Sequence, residues 1–156
     1  MRIAVLSDTH RMTSFIDKIV PDLKQCDLIV HAGDNFIDSK YIHSMTNVSV
    51  MAVKGNCDLE DVEDELIFSL EKNKVFLCHG DKYGVKYDLE MLDKKTDNID
   101  CNIVIFGHTH VPLNKTINNK IFLNPGSLAM PREVSYRSYV IMNIDDKNID
   151  IEFIKL

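Results

Sequence analysis

The chain has 156 residues, 45% of them hydrophobic and 27% charged, with only four Pro and six Gly. This length predicts one domain over residues 1–156 that hides about 70% of its unfolded surface, and the composition excludes disorder, collagen and coiled coil. Eighteen Lys and Arg against twenty-four Asp and Glu leave a net charge of −6, the wrong sign for a chain held on nucleic acid by phosphate neutralisation.

The first half alternates short β-branched strands with helical stretches. Strands are expected at Arg2–Ser7, Leu28–Ala32 and Val48–Val53, each bounded by turn residues as in a parallel sheet buried on both faces. Helices are expected over Ser14–Gln25, with Ser14 as N-cap and Pro21 as a kink or split, and over Asp38–Met45. Two consecutive βαβ units imply an α/β fold.

The second half reads as antiparallel-rich. Glu65–Leu70 and Lys74–Cys78 flank a hairpin turn at Glu71-Lys72-Asn73, and a helix over Lys86–Lys95 precedes a strand at Ile103–Phe106. Leu113–Ile117 and Lys120–Leu123 flank Asn118-Asn119, a pair that tolerates the positive φ of a primed turn. Tyr139–Ile144 and Asn148–Ile154 bracket a last hairpin at Asp145-Asp146-Lys147. Two sheets packed face to face, with helices outside, accommodate that order.

The polar residues fall where the strands end. The blocks are Asp8-Thr9-His10, Gly33-Asp34-Asn35, Gly55-Asn56-Cys57-Asp58, Cys78-His79-Gly80-Asp81 and Gly107-His108-Thr109-His110. The carboxyl ends of strands in open α/β sheets form the crevice where ligands bind. Each block alone is an ordinary turn. Together they collect four of the six His and four of the six Gly, which unrelated turns would not do. Asp8, His10, Asp34, Asn56, His79, His108 and His110 combine carboxylate, imidazole and amide donors without thiolate, a set that suits Mn²⁺, Fe²⁺ or Zn²⁺. Seven donors exceed one tetrahedral ion and suit two ions about 3.5–4 Å apart sharing a carboxylate.

In this order the blocks resemble the calcineurin-like metallophosphoesterase superfamily, whose pattern runs D-x-H, G-D, G-N-H-D/E, H and G-H-x-H. The tail Asn124-Pro125-Gly126-Ser127 and the chain's size resemble its small YfcE-type phosphodiesterase branch. The resemblance implies a four-layer α/β/β/α sandwich of two mixed β-sheets flanked by helices. It implies a first metal on Asp8, His10, Asp34 and His110, with Asp34 bridging to a second held by Asn56, His79 and His108. Mn²⁺ is the expected ion at both positions, with Fe²⁺, Zn²⁺ or Ni²⁺ as alternatives. Catalytic roles are expected for Asp34, Asn56, Cys57 and His108, and a hydroxide bridging the two ions is expected to attack phosphorus in line with the leaving group.

Cys57 replaces the His that the wider superfamily carries after Asn, a departure shared by the YfcE-type branch. A thiol is a weak hydrogen-bond donor, so the substitution favours diesters with good leaving groups. Asp58 and Asp81 are second candidates for orienting ligands, while Arg132 and Arg137, after the Asn-Pro-Gly-Ser tail, are read as ordinary surface cations, with substrate phosphate or a subunit contact as the alternative.

The expected partner is a small phosphodiester, with no membrane contact, nucleic acid disfavoured and homo-oligomers left open. The N-terminus does not read as a signal peptide, because Ser7 and Asp8 interrupt the apolar run of residues 3–6. Cys26, Cys57, Cys78 and Cys101 form no CxxC pair, which predicts reduced thiols and a cytoplasmic location. The rival reading is a non-catalytic metal-binding scaffold of the same fold acting through protein contacts, like the retromer subunit. A DNA nuclease is a second rival, opposed by the charge and the short chain.

Overall fold

Strand β1 (Arg2–Leu6) shows how the layers arise. Ile3 and Val5 face one way and Ala4 and Leu6 the other, because successive side chains of a strand alternate between faces. All four are fully buried, so both faces of this strand must be covered. The computed structural model describes residues 1–145 and 147–156.

After β1 come α1 (Thr13–Leu23), β2 (Leu28–His31), α2 (Ile37–Thr46) and β3 (Val50–Ala52). Then follow β4 (Glu65–Leu70), β5 (Asn73–Cys78), a 3-10 turn (Asp81–Tyr83), α3 (Glu90–Asp97), β6 (Ile103–Ile105), β7 (Pro112–Ile117), β8 (Lys120–Pro125), β9 (Ser138–Ile144) and β10 (Ile149–Lys155). These strands form two five-stranded sheets, ordered β10-β9-β1-β2-β3 and β4-β5-β6-β8-β7. Both are mixed: β1, β2 and β3 run parallel, as do β5, β6 and β8, while β9, β10, β4 and β7 pair antiparallel.

The sheets share one core. Ile3, Val5 and Val30 of the first pack with Val75, Leu77, Ile103 and Ile105 of the second. Truncating one such side chain, Leu77→Ala for instance, costs about 2–5 kcal/mol. On the outer face of the first sheet, Leu6, Ile29 and Ile141 cover Ile16, Ile19 and Leu23 of α1 and Ile42 of α2. On the outer face of the second, Phe76, Val104 and Phe122 cover Leu92 of α3. The result is the expected α/β/β/α sandwich of two mixed sheets.

Local details differ from the sequence reading. Ser14 is not an N-cap: α1 starts at Thr13 after Met12, and no side chain caps it. Pro21 does not split α1, which runs on to Leu23 with the Lys24 N–H bonded to the Val20 carbonyl. Helix α3 begins at Glu90, four residues later than expected, because residues 84–87 continue in turns after the 3-10 turn between Gly80 and Gly84, both in the left-handed region. Asn118 and Asn119 adopt φ of 48° and 61°, the double positive of a primed turn. The last expected turn includes Asp146, which lies outside the described residues; beside it, the Asp145 carboxylate accepts the Lys147 and Asn148 amides. Among the described residues no helix is long and apolar enough to cross a membrane.

Candidate metal centre

The parallel strands deliver their carboxyl ends to one edge of each sheet, and backbone bonds sew these edges together. The Asp8 amide donates to the Gly33 carbonyl at 3.0 Å, joining the loops after β1 and β2. The Gly107 amide donates to the His79 carbonyl at 3.0 Å, joining the loops after β5 and β6. The His108 amide reaches the Asp8 carboxylate at 3.1 Å, linking the two sheets. Asp8, His10, Asp34, His108 and His110 all have φ between 45° and 66°. Non-glycine residues in that region carry strain of order 1–3 kcal/mol each, and such residues cluster at functional sites.

Two ligand groups result. Asp8, His10, Asp34 and His110 each offer an atom within 4.8 Å of the others, and so do Asp34, His79 and His108. Asp34 belongs to both. His110 Nε2 stands 3.0 Å from Asp8 Oδ1, and His10 Nε2 stands 3.7 Å from Asp34 Oδ2. His79 Nε2 stands 3.3 Å from Asp34 Oδ1 and 3.1 Å from His108 Nδ1.

The tautomers show what such a cluster needs. His79 Nδ1 lies 2.8 Å from the Ala32 carbonyl and His110 Nδ1 lies 2.5 Å from the Met130 carbonyl. A carbonyl only accepts, so each Nδ1 carries the proton and each neutral ring points its Nε2 lone pair inward. Those lone pairs face carboxylate oxygens, and His10 Nε2 lies 3.4 Å from His110 Nε2. Asp8 Oδ1 is buried and makes no hydrogen bond of proper geometry, although His110 Nε2 is close. Converging lone pairs with an orphaned oxygen require positive charge between them, from protons or from cations. The donor set fits a divalent metal.

The titration shifts express the same demand. Burial works against ionised Asp8, but His110 and His79 outweigh it and hold its carboxyl below the usual range. Asp34 is likewise held low despite burial, by His79 and the Cys57 amide. Burial disfavours charge on His79 and His110, yet Asp34 and Asp8 raise both above the ordinary imidazole value. Without metal, protons supply the missing positive charge.

Several supporting residues went unread in the sequence. Buried His31 accepts the Gly33 amide at Nδ1, so its Nε2–H donates to Thr9 Oγ1 at 3.0 Å. Thr9 in turn donates to buried Asp38 Oδ2 at 2.6 Å. This chain pins the loop between Asp8 and His10 from below. The tail after β8 does similar work: Asn124 Nδ2 donates to the Gly107 carbonyl at 2.7 Å, and Ser127 Oγ donates to the Asp8 carbonyl. Two glycines are dictated by close approach, since a Cβ at Gly55 would strike Asp34 and one at Gly107 would strike Ser7 and Asp8.

The remaining candidates divide. Asn56 and Cys57 are exposed at the rim, and the hydrogen bond recorded for the Asn56 side chain goes to Cys57 Sγ at 3.5 Å. The Cys57 amide donates to Asp34 Oδ1 at 3.0 Å. Burial and the Asp34 carboxylate push the Cys57 thiol up to about 11. Asp58 orients neither Asn56 nor a ring nitrogen; its carboxylate accepts the amides of Asn35, Phe36 and Gly55. Arg137 stacks on Phe15 at 4.0 Å, whereas the Arg132 amide donates to the His110 carbonyl.

Comparison with known proteins agrees with this geometry. Residues 1–147 match the calcineurin-like phosphoesterase superfamily domain. The chain is 27% identical to the probable metallophosphoesterase YsnB of Bacillus subtilis, over 98% of this chain and 90% of that one. It is 31% identical to phosphodiesterase YfcE of Escherichia coli K12, over 62% of this chain and 53% of that one. A predicted phosphoesterase from Streptococcus pneumoniae superposes with a TM-score of 0.86 at 25% identity, covering 99% of this chain and 88% of that one. The Zn²⁺ complex of Vps29 from Entamoeba histolytica shares the fold, with a TM-score of 0.77 at 22% identity and 99% of both chains covered. With its family model spanning all but the last strand and its Asp and His side chains gathered at the strand ends, the chain belongs to the calcineurin-like phosphoesterase superfamily.

Proposed function

We propose that the protein is a metal-dependent phosphodiesterase that hydrolyses small phosphodiesters at a dinuclear centre. The observation that carries this reading is the pair of ligand groups hinged on Asp34. Asp8, His10, Asp34 and His110 would hold one divalent cation, and Asp34, His79 and His108, with Asn56 swung in from the rim, a second. When bound there, two such ions, Mn²⁺ by preference, would acidify water to a nucleophile near neutral pH and would offset charge on the phosphoryl oxygens.

The chain's own residues set the rest. The carbonyls of Ala32 and Met130 keep His79 and His110 in the tautomer that presents Nε2. The Cys57 amide fixes Asp34 Oδ1 between the groups. The Cys57 thiol, held near 11, stays protonated at neutral pH and is a weak donor to a departing oxygen. Diesters with good leaving groups, such as aryl esters, are the substrates this favours. All four cysteines are free, in keeping with a cytoplasmic setting.

The test is hydrolysis of bis-p-nitrophenyl phosphate with Mn²⁺, comparing wild type with Asp34→Asn and His108→Ala. Activity that falls at least about 100-fold in both variants is expected, since each removes a ligand. Equal residual activity in all three would return the protein to the scaffold reading, and cleavage of single- or double-stranded DNA in place of the diester would indicate a nuclease.

A further inference from the structure

A cleft of about 290 Å³ opens beside the two ligand groups. Thr109, between His108 and His110, forms part of its lining, so cleft and centre share a wall. The opposite walls are apolar, built from Leu89, Phe106, Val111 and Leu113. Lys86 and Arg132 also line it, and both are exposed. Neither forms a salt bridge among the described residues. Glu133 is the one carboxylate in the lining, leaving the cleft an excess of one positive charge in a chain whose net charge is −6. The Arg132 amide donates to the His110 carbonyl at 3.1 Å, which ties this rim of the cleft to the ligand loop.

An apolar slot next to a metal-ligand cluster, with two exposed cations in its lining, suits an ester arm attached to a phosphoryl group. We propose that this cleft is a substrate subsite that receives an aromatic or similarly apolar ester arm, with Lys86 and Arg132 on the phosphoryl oxygens. The assignment rests on reading the centre as a phosphodiesterase site and adds the surface and the residues that select an apolar ester arm. The apolar walls reward burial of the arm, while the cations fix the end of the ligand nearest the centre.

The test uses two non-hydrolysable probes on the Zn²⁺-loaded protein: phenylphosphonate and methylphosphonate. In methyl-resolved NMR, phenylphosphonate is expected to shift the methyl signals of Leu89, Val111 and Leu113, and methylphosphonate to leave them in place. Phenylphosphonate should bind at least about tenfold more tightly, from partial burial of the ring. Leu113→Asp should erase that preference, and Lys86→Ala with Arg132→Ala should weaken both probes together. Equal affinity for the two probes, or no shift at the three methyls, would overturn the subsite. Failure of the Asp34-dependent hydrolysis assay alongside intact phenylphosphonate shifts would instead remove the enzymatic reading and leave the subsite as a binding cleft. Hydrolysis without those shifts would keep the enzyme and reject the cleft.

Discussion

Ser127 and Asp8, 119 positions apart in the chain, are joined by a buried hydrogen bond of 2.8 Å from the Ser127 hydroxyl to the Asp8 carbonyl. The same hydroxyl oxygen accepts the amides of Ala129 and Met130. The Met130 carbonyl then takes the Nδ1 proton of His110. One small side chain thus connects the backbone beneath Asp8 to the peptide that sets the His110 tautomer.

Ser127→Ala leaves a buried carbonyl and two amides without this partner, which should lower stability by about 1–3 kcal/mol. Loosening groups that orient metal ligands typically costs 10–100-fold in affinity, so Zn²⁺ binding should weaken on that scale. Urea unfolding of the metal-free protein and calorimetric Zn²⁺ titration measure the two effects separately. Unchanged Zn²⁺ affinity in the variant would show that the link between Ser127 and the ligand loops does not matter.

Cys57 is the exposed cysteine of the four, and exposure alone would suggest a reactive thiol. Its pKa of about 11, against an ordinary 9.0, predicts the opposite. A difference of two in pKa lowers the thiolate fraction at pH 7 about 100-fold. Iodoacetamide should therefore alkylate Cys57 in metal-free protein about 100 times more slowly than a free cysteine, followed by mass spectrometry. In Asp34→Asn the carboxylate that raises the thiol is neutralised, and alkylation should accelerate.

The metal-free protein should also have a distinctive pH profile. His79 and His110 sit above their unfolded value of 6.5 in the fold. Their stabilisation is complete below about pH 6.5 and fades as pH rises through the folded values. Asp8 and Asp34 sit below their unfolded 3.8, so their contribution is present above that pH and is lost as pH falls through the folded values. Stability without metal should therefore decline from about pH 6.5 toward pH 8, while burial, which holds His31 and His108 below 6.5, subtracts stability as pH falls below that value. Metal binding requires neutral rings and releases protons. Saturating Zn²⁺ should flatten the alkaline decline, and apparent affinity should weaken below pH 6.5. Thermal melts across pH with and without Zn²⁺ check both, and a flat metal-free profile would mean that protons do not fill the cluster.

The centre was legible where local sequence carries it. A strand that ends in Asp-x-His or Gly-Asp displays its chemistry within a few residues, and the parallel topology that gathers those ends follows from alternating strands and helices. What escaped is the scaffolding that links distant segments. His31 looked like an ordinary strand residue, but it begins the chain through Thr9 to Asp38, whose contacts span 22 and 29 positions. The sequence predicts that Asp58 orients Asn56 or a ring nitrogen, whereas its carboxylate reaches back to Asn35 and Phe36. Helix ends failed for a related reason. Ser14 has the residue type of an N-cap, but left-handed turns at His10 and Arg11 deliver the chain to α1 two residues earlier than a Ser14 cap would require. Residue type announces a cap, and the incoming chain direction decides whether it is used.

Asp58 gives the sharpest test of how loop scaffolding controls the centre. Its Oδ1 accepts the amides of Asn35 and Phe36 at 3.0 and 2.8 Å, and Oδ2 accepts that of Gly55 at 2.7 Å. The carboxylate therefore clamps the loop carrying Asp34 to the loop carrying Asn56 and Cys57, without touching a ligand atom itself. Asp58→Ala removes both acceptor oxygens and all three hydrogen bonds and should cost about 3 kcal/mol, since hydrogen bonds to a charged group are the stronger kind. Asp58→Asn keeps the oxygen for one loop but presents an NH₂ group to the amide of the other, so the clamp opens on one side at nearly constant volume. It should lose less stability than Asp58→Ala yet still weaken Zn²⁺ binding by about tenfold, because Asp34 and the Cys57 amide no longer share a fixed frame. Urea midpoints and Zn²⁺ affinities for both variants separate the two effects. A Zn²⁺ affinity in Asp58→Asn equal to wild type would show that the ligands are held in place by the strand ends alone.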